Sequence, residues 1–193
     1  MSREDRERWD ARHRGSAPAA ADPPSAFLVE HVHLLPAART LDLAAGSGRN
    51  AAFLARRGHA VVAVDVSCQG LARVRQRARG IACVQMDLDA PAFRRGSVDA
   101  VVVVSFLDRR LFAGVAGWLR PGGVLLWDTF LVDQRSIGHP REAAFLLERG
   151  ELAERLRGAF DILAAREGLV EEGGRPAWRS GVVARRRATE SGL

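Results

Sequence analysis

From residue 39 onward the chain alternates between two hydrophobic rhythms. Arg39–Ala44, Ala60–Val66, Ile81–Met86, Val98–Ser105 and Val124–Phe130 are short, nearly continuous apolar runs. Between them, apolar residues recur at helical spacing: Ala51, Ala52, Leu54 and Ala55, then Leu71, Val74 and Ala78, then Leu111, Phe112, Val115, Trp118 and Leu119. Strand-length runs alternating with helical stripes are the pattern of βαβ units, a mostly parallel sheet with helices on both faces. The valines Val101–Val104 need cover on both faces, as central parallel strands have.

The punctuation agrees. Gly58 suits the end of a helix over Arg49–Arg57, and Ser67 can cap the next one. Asp108 starts a further helix, which Pro121-Gly122-Gly123 breaks. A broken helical region follows over Glu142–Phe160, where Glu151 and Arg155 form an i,i+4 pair. Two last strands, near Asp161–Glu167 and Ala177–Arg185, flank Glu171-Glu172-Gly173-Gly174, which reads as an antiparallel hairpin. Ahead of all this, a charged helix carrying Trp9 leads into an Ala/Pro-rich connector from Gly15 to Pro24. The expected organisation is one domain over 1–193: an N-terminal segment 1–26, a core 27–187 and a tail 188–193.

Composition narrows the classes. The chain has 193 residues, enough for one sizeable core. Its apolar runs fall far short of a membrane span, and no signal-type segment follows the charged N-terminus, so a cytoplasmic protein is expected. The 29 basic residues are all arginine and there is no tyrosine. A lysine Schiff base and a Tyr–Lys proton relay are thereby excluded. The net charge of +6 is spread along the chain, and Arg185–Arg187 reads as a solvated run, so a polyanionic partner is not implied. Cys68 and Cys83 lack metal-ligand spacing, and no metal site is expected.

The chemistry concentrates in Leu41-Asp42-Leu43-Ala44-Ala45-Gly46-Ser47-Gly48-Arg49-Asn50, between a strand and a helix. Glycines there let a ligand approach the backbone at the carboxyl end of the sheet. Asp65 ends the second strand, where an acid can accept from ribose hydroxyls. Asp87 ends the third and can accept from an adenine amino group. Together they describe an adenosine pocket. The loop also reads Gly-x-Gly-x-x-Ala, a variant of the dinucleotide fingerprint. An acid just before the turn would repel a pyrophosphate, however. Asp42 suits a cationic ligand end, such as the ammonium of a methionine moiety.

These residues, with Leu119-Arg120-Pro121-Gly122-Gly123 and the final hairpin, resemble class I S-adenosylmethionine-dependent methyltransferases along nearly the whole chain. More narrowly, Trp9-Asp10-Ala11-Arg12, Gly48-Arg49-Asn50, Leu54–His59, Val64–Ser67 and Phe145–Leu152 are similar to small bacterial enzymes of the tellurite-resistance and thiopurine methyltransferase type. The resemblance implies a Rossmann-like seven-stranded sheet in the order 3-2-1-4-5-7-6 with the last strand antiparallel, and an N-terminal lid over the cofactor. It implies that Ala44, Gly46 and Gly48 line the methionine end, that Asp65 takes the ribose, and that Val66 packs on the adenine. Asp87 and Leu88 meet the adenine edge, and Ser105 with Phe106 borders the transferring methyl. His13 departs from the pattern, since many relatives have tyrosine there.

Other residues carry weaker signals. Arg12 is a candidate partner for the cofactor carboxylate, and Trp9 for the lid. His139 is a candidate base, and Arg175 and Arg179 are candidates to hold an anionic substrate, with solvent exposure as their default. Asp22-Pro23-Pro24 lacks the following aromatic of the base-methylating signature, and Ser105-Phe106-Leu107-Asp108 lacks that motif too. The expected activity is methyl transfer to a small-molecule acceptor, with a soft sulfur, selenium or tellurium nucleophile in view and S-adenosylhomocysteine as product. A nucleic-acid methyltransferase and a non-catalytic cofactor-binding module remain as alternatives, and the assembly as monomer or homodimer.

Overall fold

A computed structural model describes residues 3–15 and 22–188. Most of the Ala/Pro-rich connector, 16–21, and most of the tail, 189–193, lie outside the described residues. The strands are β1 (Arg39–Leu43), β2 (Ala60–Asp65), β3 (Ala82–Gln85), β4 (Val98–Val104), β5 (Leu119–Phe130), β6 (Phe160–Glu172) and β7 (Arg175–Arg186). The helices are α1 (Arg3–Gly15), α2 (Ala26–His31), α3 (Arg49–Arg56), α4 (Cys68–Arg77), α5 (Leu111–Trp118) and α6 (Glu151–Leu156).

The strands form one seven-stranded sheet in the order β3-β2-β1-β4-β5-β7-β6. β1 to β5 pair in parallel, and β7 runs antiparallel between β5 and β6. This is the Rossmann-like sheet that the sequence leads one to expect. Side chains alternate across it, as the pleat requires. Val101, Val103, Leu125 and Trp127 pack into a core with residues of α5 and α6. Val102, Val104 and Leu126 pack into a second core with α2, α3 and α4. Because both faces are covered, the central strands show no polar alternation.

Three boundaries differ from the sequence reading. α5 ends at Trp118, and β5 begins at Leu119, opposite Val98. Proline at 121 pushes Arg120 toward extended backbone, so the chain leaves the helix early. The hairpin strands are longer than their apolar runs. Gly173 (φ 61°) and Gly174 (φ 77°) form a two-residue turn, and pairing continues up to Glu172 and Arg175. The region Glu142–Phe160 holds a single turn of 3₁₀ helix at Ala143–Phe145 and the six-residue α6. Leu146 and Leu147 are buried between these, and Leu147 bridges Leu131. The predicted Glu151–Arg155 pair forms at 2.7 Å. Among the described residues, no helix is long and apolar enough to cross a membrane.

Candidate functional site

The carboxyl ends of β1, β2 and β4 converge on the glycine turn. Among the described residues, the non-glycine residues with positive φ are Ala44 (53°) and Ser105 (56°), and they end β1 and β4. Left-handed backbone is costly for residues with a Cβ, and it concentrates where a site demands it. Gly46 (φ 55°) and Gly48 (φ 78°) carry the turn into α3.

The two glycines do different things. A Cβ at Gly48 would meet Val74 Cγ2 at 2.7 Å, so this glycine lets the loop lie on α4. Among the described residues, a Cβ at Gly46 would meet only the ring of His13, at 3.5 Å. Gly46 therefore faces the side open to a ligand or to the N-terminal helix. Gly70, which the sequence reading passed over, matters as much: a Cβ there would lie 2.8 Å from the Gly46 carbonyl oxygen.

Asp42 sits beneath this turn, 1% exposed. The Ala51 N–H donates to its carboxyl group, while Oδ2 is enclosed with no hydrogen-bond partner among the described residues. Burial pushes its pKa up to about 7, against the pull of the Ala51 N–H and Arg49. An enclosed acceptor without a donor is costly unless a partner arrives. Asp65 is also buried, and burial raises its pKa. It accepts from the Gly46 N–H at 2.8 Å (Oδ2) and the Ser67 N–H at 2.8 Å (Oδ1). It thus ties the glycine turn to the start of α4; the Val66 N–H donates to the same carboxylate, which leaves one lone pair.

α1 lies over this region. Asp10 accepts from Ser67 Oγ (2.5 Å) and the Gln69 N–H (3.2 Å) at the start of α4. His13 is half-buried between Gly46 and Gly70; burial lowers its pKa and Asp65 opposes that. Trp9 stacks near His13 with ring centroids 6.3 Å apart, and Arg12 lies 5.2 Å from the Trp9 ring. What Asp10 and His13 touch was not legible in the sequence, because a polar helix shows no face until its docking partner is known.

Of the remaining sequence candidates, Val66 is 5% exposed beside Asp65. Asp87 is half-buried and accepts from the Asp89 N–H at 2.9 Å. The Leu88 side chain is 2% exposed and joins the core, which leaves its backbone for an adenine edge. His139 is exposed in the segment between β5 and α6, and its carbonyl accepts from Gln134. Arg175 is exposed at the hairpin turn.

Arg179 departs most from its default of solvent exposure. It is 0% exposed and pairs with Asp128, also 0% exposed, at 2.7 Å. The pattern of β7 could not show this, because the partner lies on β5. Ser25 joins the pair through Asp128 Oδ2 (3.2 Å), and its N–H donates to Asn50 Oδ1 (2.9 Å) at the start of α3. Removing one member of such a pair leaves an uncompensated buried charge.

Comparison with known proteins places the glycine turn in context. Residues 40–123 match a family described as a methyltransferase domain. A demethylmenaquinone methyltransferase of Beutenbergia cavernae is 40% identical over 97 residues, which span 47% of this chain and 40% of that protein. A structure from work on the conversion of a disulfide bond into a thioacetal group during echinomycin biosynthesis superposes with a TM-score of 0.74 at 20% identity, over 97% of this chain and 94% of the other. An S-adenosylmethionine-dependent methyltransferase of Mesorhizobium loti superposes with a TM-score of 0.66 at 22% identity, over 83% of this chain and 98% of the other.

Proposed function

We propose that this chain is a class I S-adenosylmethionine-dependent methyltransferase acting on a small-molecule acceptor. The observation that carries the reading is the enclosed, unpartnered Oδ2 of Asp42 beneath the Gly46 turn, inside the segment that matches methyltransferase domains. A buried carboxylate oxygen without a donor fits a cationic group, and the methionine ammonium of the cofactor is one. It does not fit a pyrophosphate.

When bound, the cofactor supplies a methyl group already activated on a sulfonium. The chain's part is to orient and to exclude water. Ala44, Gly46 and Gly48 form the floor under the methionine end, and Asp42 faces its ammonium. Asp65 uses its remaining lone pair on the ribose hydroxyls. Val66, Asp87 and the Leu88 backbone hold the adenine. Arg12, on the helix that covers the turn, is the candidate for the cofactor carboxylate. α1, with Trp9, Asp10 and His13, acts as the lid.

Ser105 borders the reacting methyl. Beside it, Arg179 and Asp128 are bonded to each other. A soft acceptor such as a thiolate or a chalcogen oxyanion needs no general base, and this class is the finer part of the proposal. The test has two stages. Calorimetry should show S-adenosylhomocysteine binding to the whole chain. A screen of thiol, selenium, tellurium and phenol acceptors with methyl-labelled S-adenosylmethionine should then yield labelled product. Absence of binding refutes the cofactor reading; product from phenols alone refutes the soft-acceptor reading.

A further inference from the structure

Ser105 combines two features that oppose each other. It is exposed at the end of β4, directly after the buried Val104, and its backbone is left-handed (φ 56°) although it carries a side chain. Such a conformation persists only where the surroundings over-determine it. Here they do. The Ser105 N–H donates to the Asp128 carbonyl oxygen at 2.8 Å. The same carbonyl accepts from Arg179 Nη2 at 3.0 Å, and Arg179 Nη1 donates to Ser105 Oγ at 3.0 Å. The guanidinium is held in turn by the Asp128 carboxylate, through Nη2 to Oδ2 (2.7 Å) and Nε to Oδ1 (3.3 Å), with Phe130 stacked 4.4 Å away. One planar fork therefore grips both the side chain of Ser105 and the carbonyl that fixes its backbone.

The geometry points to Arg179 as a positioning residue. It holds Ser105 in the left-handed conformation that shapes the floor of the methyl-transfer site. Sealed from solvent, it touches no ligand and acts through Ser105. The assignment rests on the methyltransferase reading for its consequence, but its mechanism is visible without any ligand. A lysine at 179 keeps the positive charge beside Asp128 yet cannot bridge the carboxylate, the carbonyl and the Ser105 hydroxyl from one plane.

Arg179→Lys tests this in the full chain. In the ligand-free protein, the Ser105 amide should exchange with solvent about tenfold faster, while the Leu126 amide on the same sheet is unchanged. S-adenosylhomocysteine affinity should fall about tenfold. Adding Ser105→Gly to the lysine variant should recover most of that affinity, because glycine adopts positive φ without a hold. Unchanged exchange at Ser105 overturns the inference, and so does a double variant no better than the single. Failure of the wild-type chain to bind S-adenosylhomocysteine would count against the methyltransferase reading alone, with the exchange readout still deciding the role of Arg179. If the lysine variant does not fold, Ser105→Ala removes the Oγ–Nη1 bond and leaves the buried pair of Arg179 with Asp128 intact; faster exchange at the amide of residue 105 is again the expected result, and unchanged exchange overturns the inference.

Discussion

Asp42→Asn isolates the buried carboxylate beneath the glycine turn. The amide keeps the size of the side chain and an oxygen to accept the Ala51 N–H, but it removes the charge. Asp42 has its pKa raised from 3.8 to about 7 by burial. For an acid raised in the folded state, stability is full below the unfolded value and is lost as pH climbs through the folded one. In the ligand-free protein the charge should therefore cost about 2 kcal/mol at pH 5 and about 4 kcal/mol at pH 7.5. The asparagine's own cost does not titrate. The stability difference between variant and wild type should thus move in the variant's favour by roughly 2 kcal/mol over that interval, or about 4–8 °C in melting temperature. Ligand binding should show the opposite sign. About 3% of Asp42 is ionised at pH 5.5 and about half at pH 7, so wild-type affinity for S-adenosylhomocysteine should rise about 15-fold between them. Asp65 and His13 contribute pH dependence to both proteins, so the test is the difference between their slopes. Thermal melts at pH 5 and 7.5, and calorimetry at pH 5.5 and 7, measure it. Equal slopes in wild type and Asp42→Asn would refute the pairing of Asp42 with the ammonium.

Three further expectations follow the same geometry. Asp65→Ala should weaken S-adenosylhomocysteine binding roughly 10- to 150-fold by calorimetry, the loss of a charge-assisted hydrogen bond of about 1.5–3 kcal/mol; unchanged affinity would remove Asp65 from the site. Gly46→Val should abolish binding while circular dichroism still reports a folded sheet, because a β-branched residue is forced to a φ of 55° beneath His13; normal binding would mean that the turn is not the pocket floor. Deleting the residues before Ser25 should lower turnover far more than melting temperature, and amides near Trp9 should gain hydrogen-exchange protection when S-adenosylhomocysteine is added. Full turnover by the truncated chain, without protection in the intact one, would leave α1 a structural appendage.

The sequence carried the sheet well because its signals are local. Unbroken apolar runs at Val61–Val64 and Val101–Val104 can only be central strands, and glycine pairs such as Gly173-Gly174 have one economical conformation. Asp42, Asp65 and the glycine turn were legible for the same reason: they lie within a strand, at its end, or immediately after it. What stayed hidden depends on partners far along the chain. Arg179 reads as a surface arginine until β7 is set beside β5 and finds Asp128. Gly70 looks like an ordinary helix residue until the Gly46 carbonyl is placed against it. Hydrophobic periodicity tells which face is buried, but not which polar groups meet there.

The order in which β7 is made has a consequence of its own. Arg179 follows Asp128 by 51 residues, so at ~5–20 residues per second synthesis leaves Asp128 without this nearer of its two counter-ions, the other being Arg166 on β6, for roughly 3–10 s. Over that interval β5 is also an uncovered strand edge, because β7 is the neighbour that pairs with it. The nascent chain can zip its parallel strands, but it cannot bury the end of β5 without enclosing a lone carboxylate. Asp128 thereby delays closure until the final hairpin arrives. A translation product cut short before β7 keeps both faults, an acid without the Arg179 fork and an open edge, and is exposed to aggregation and proteolysis.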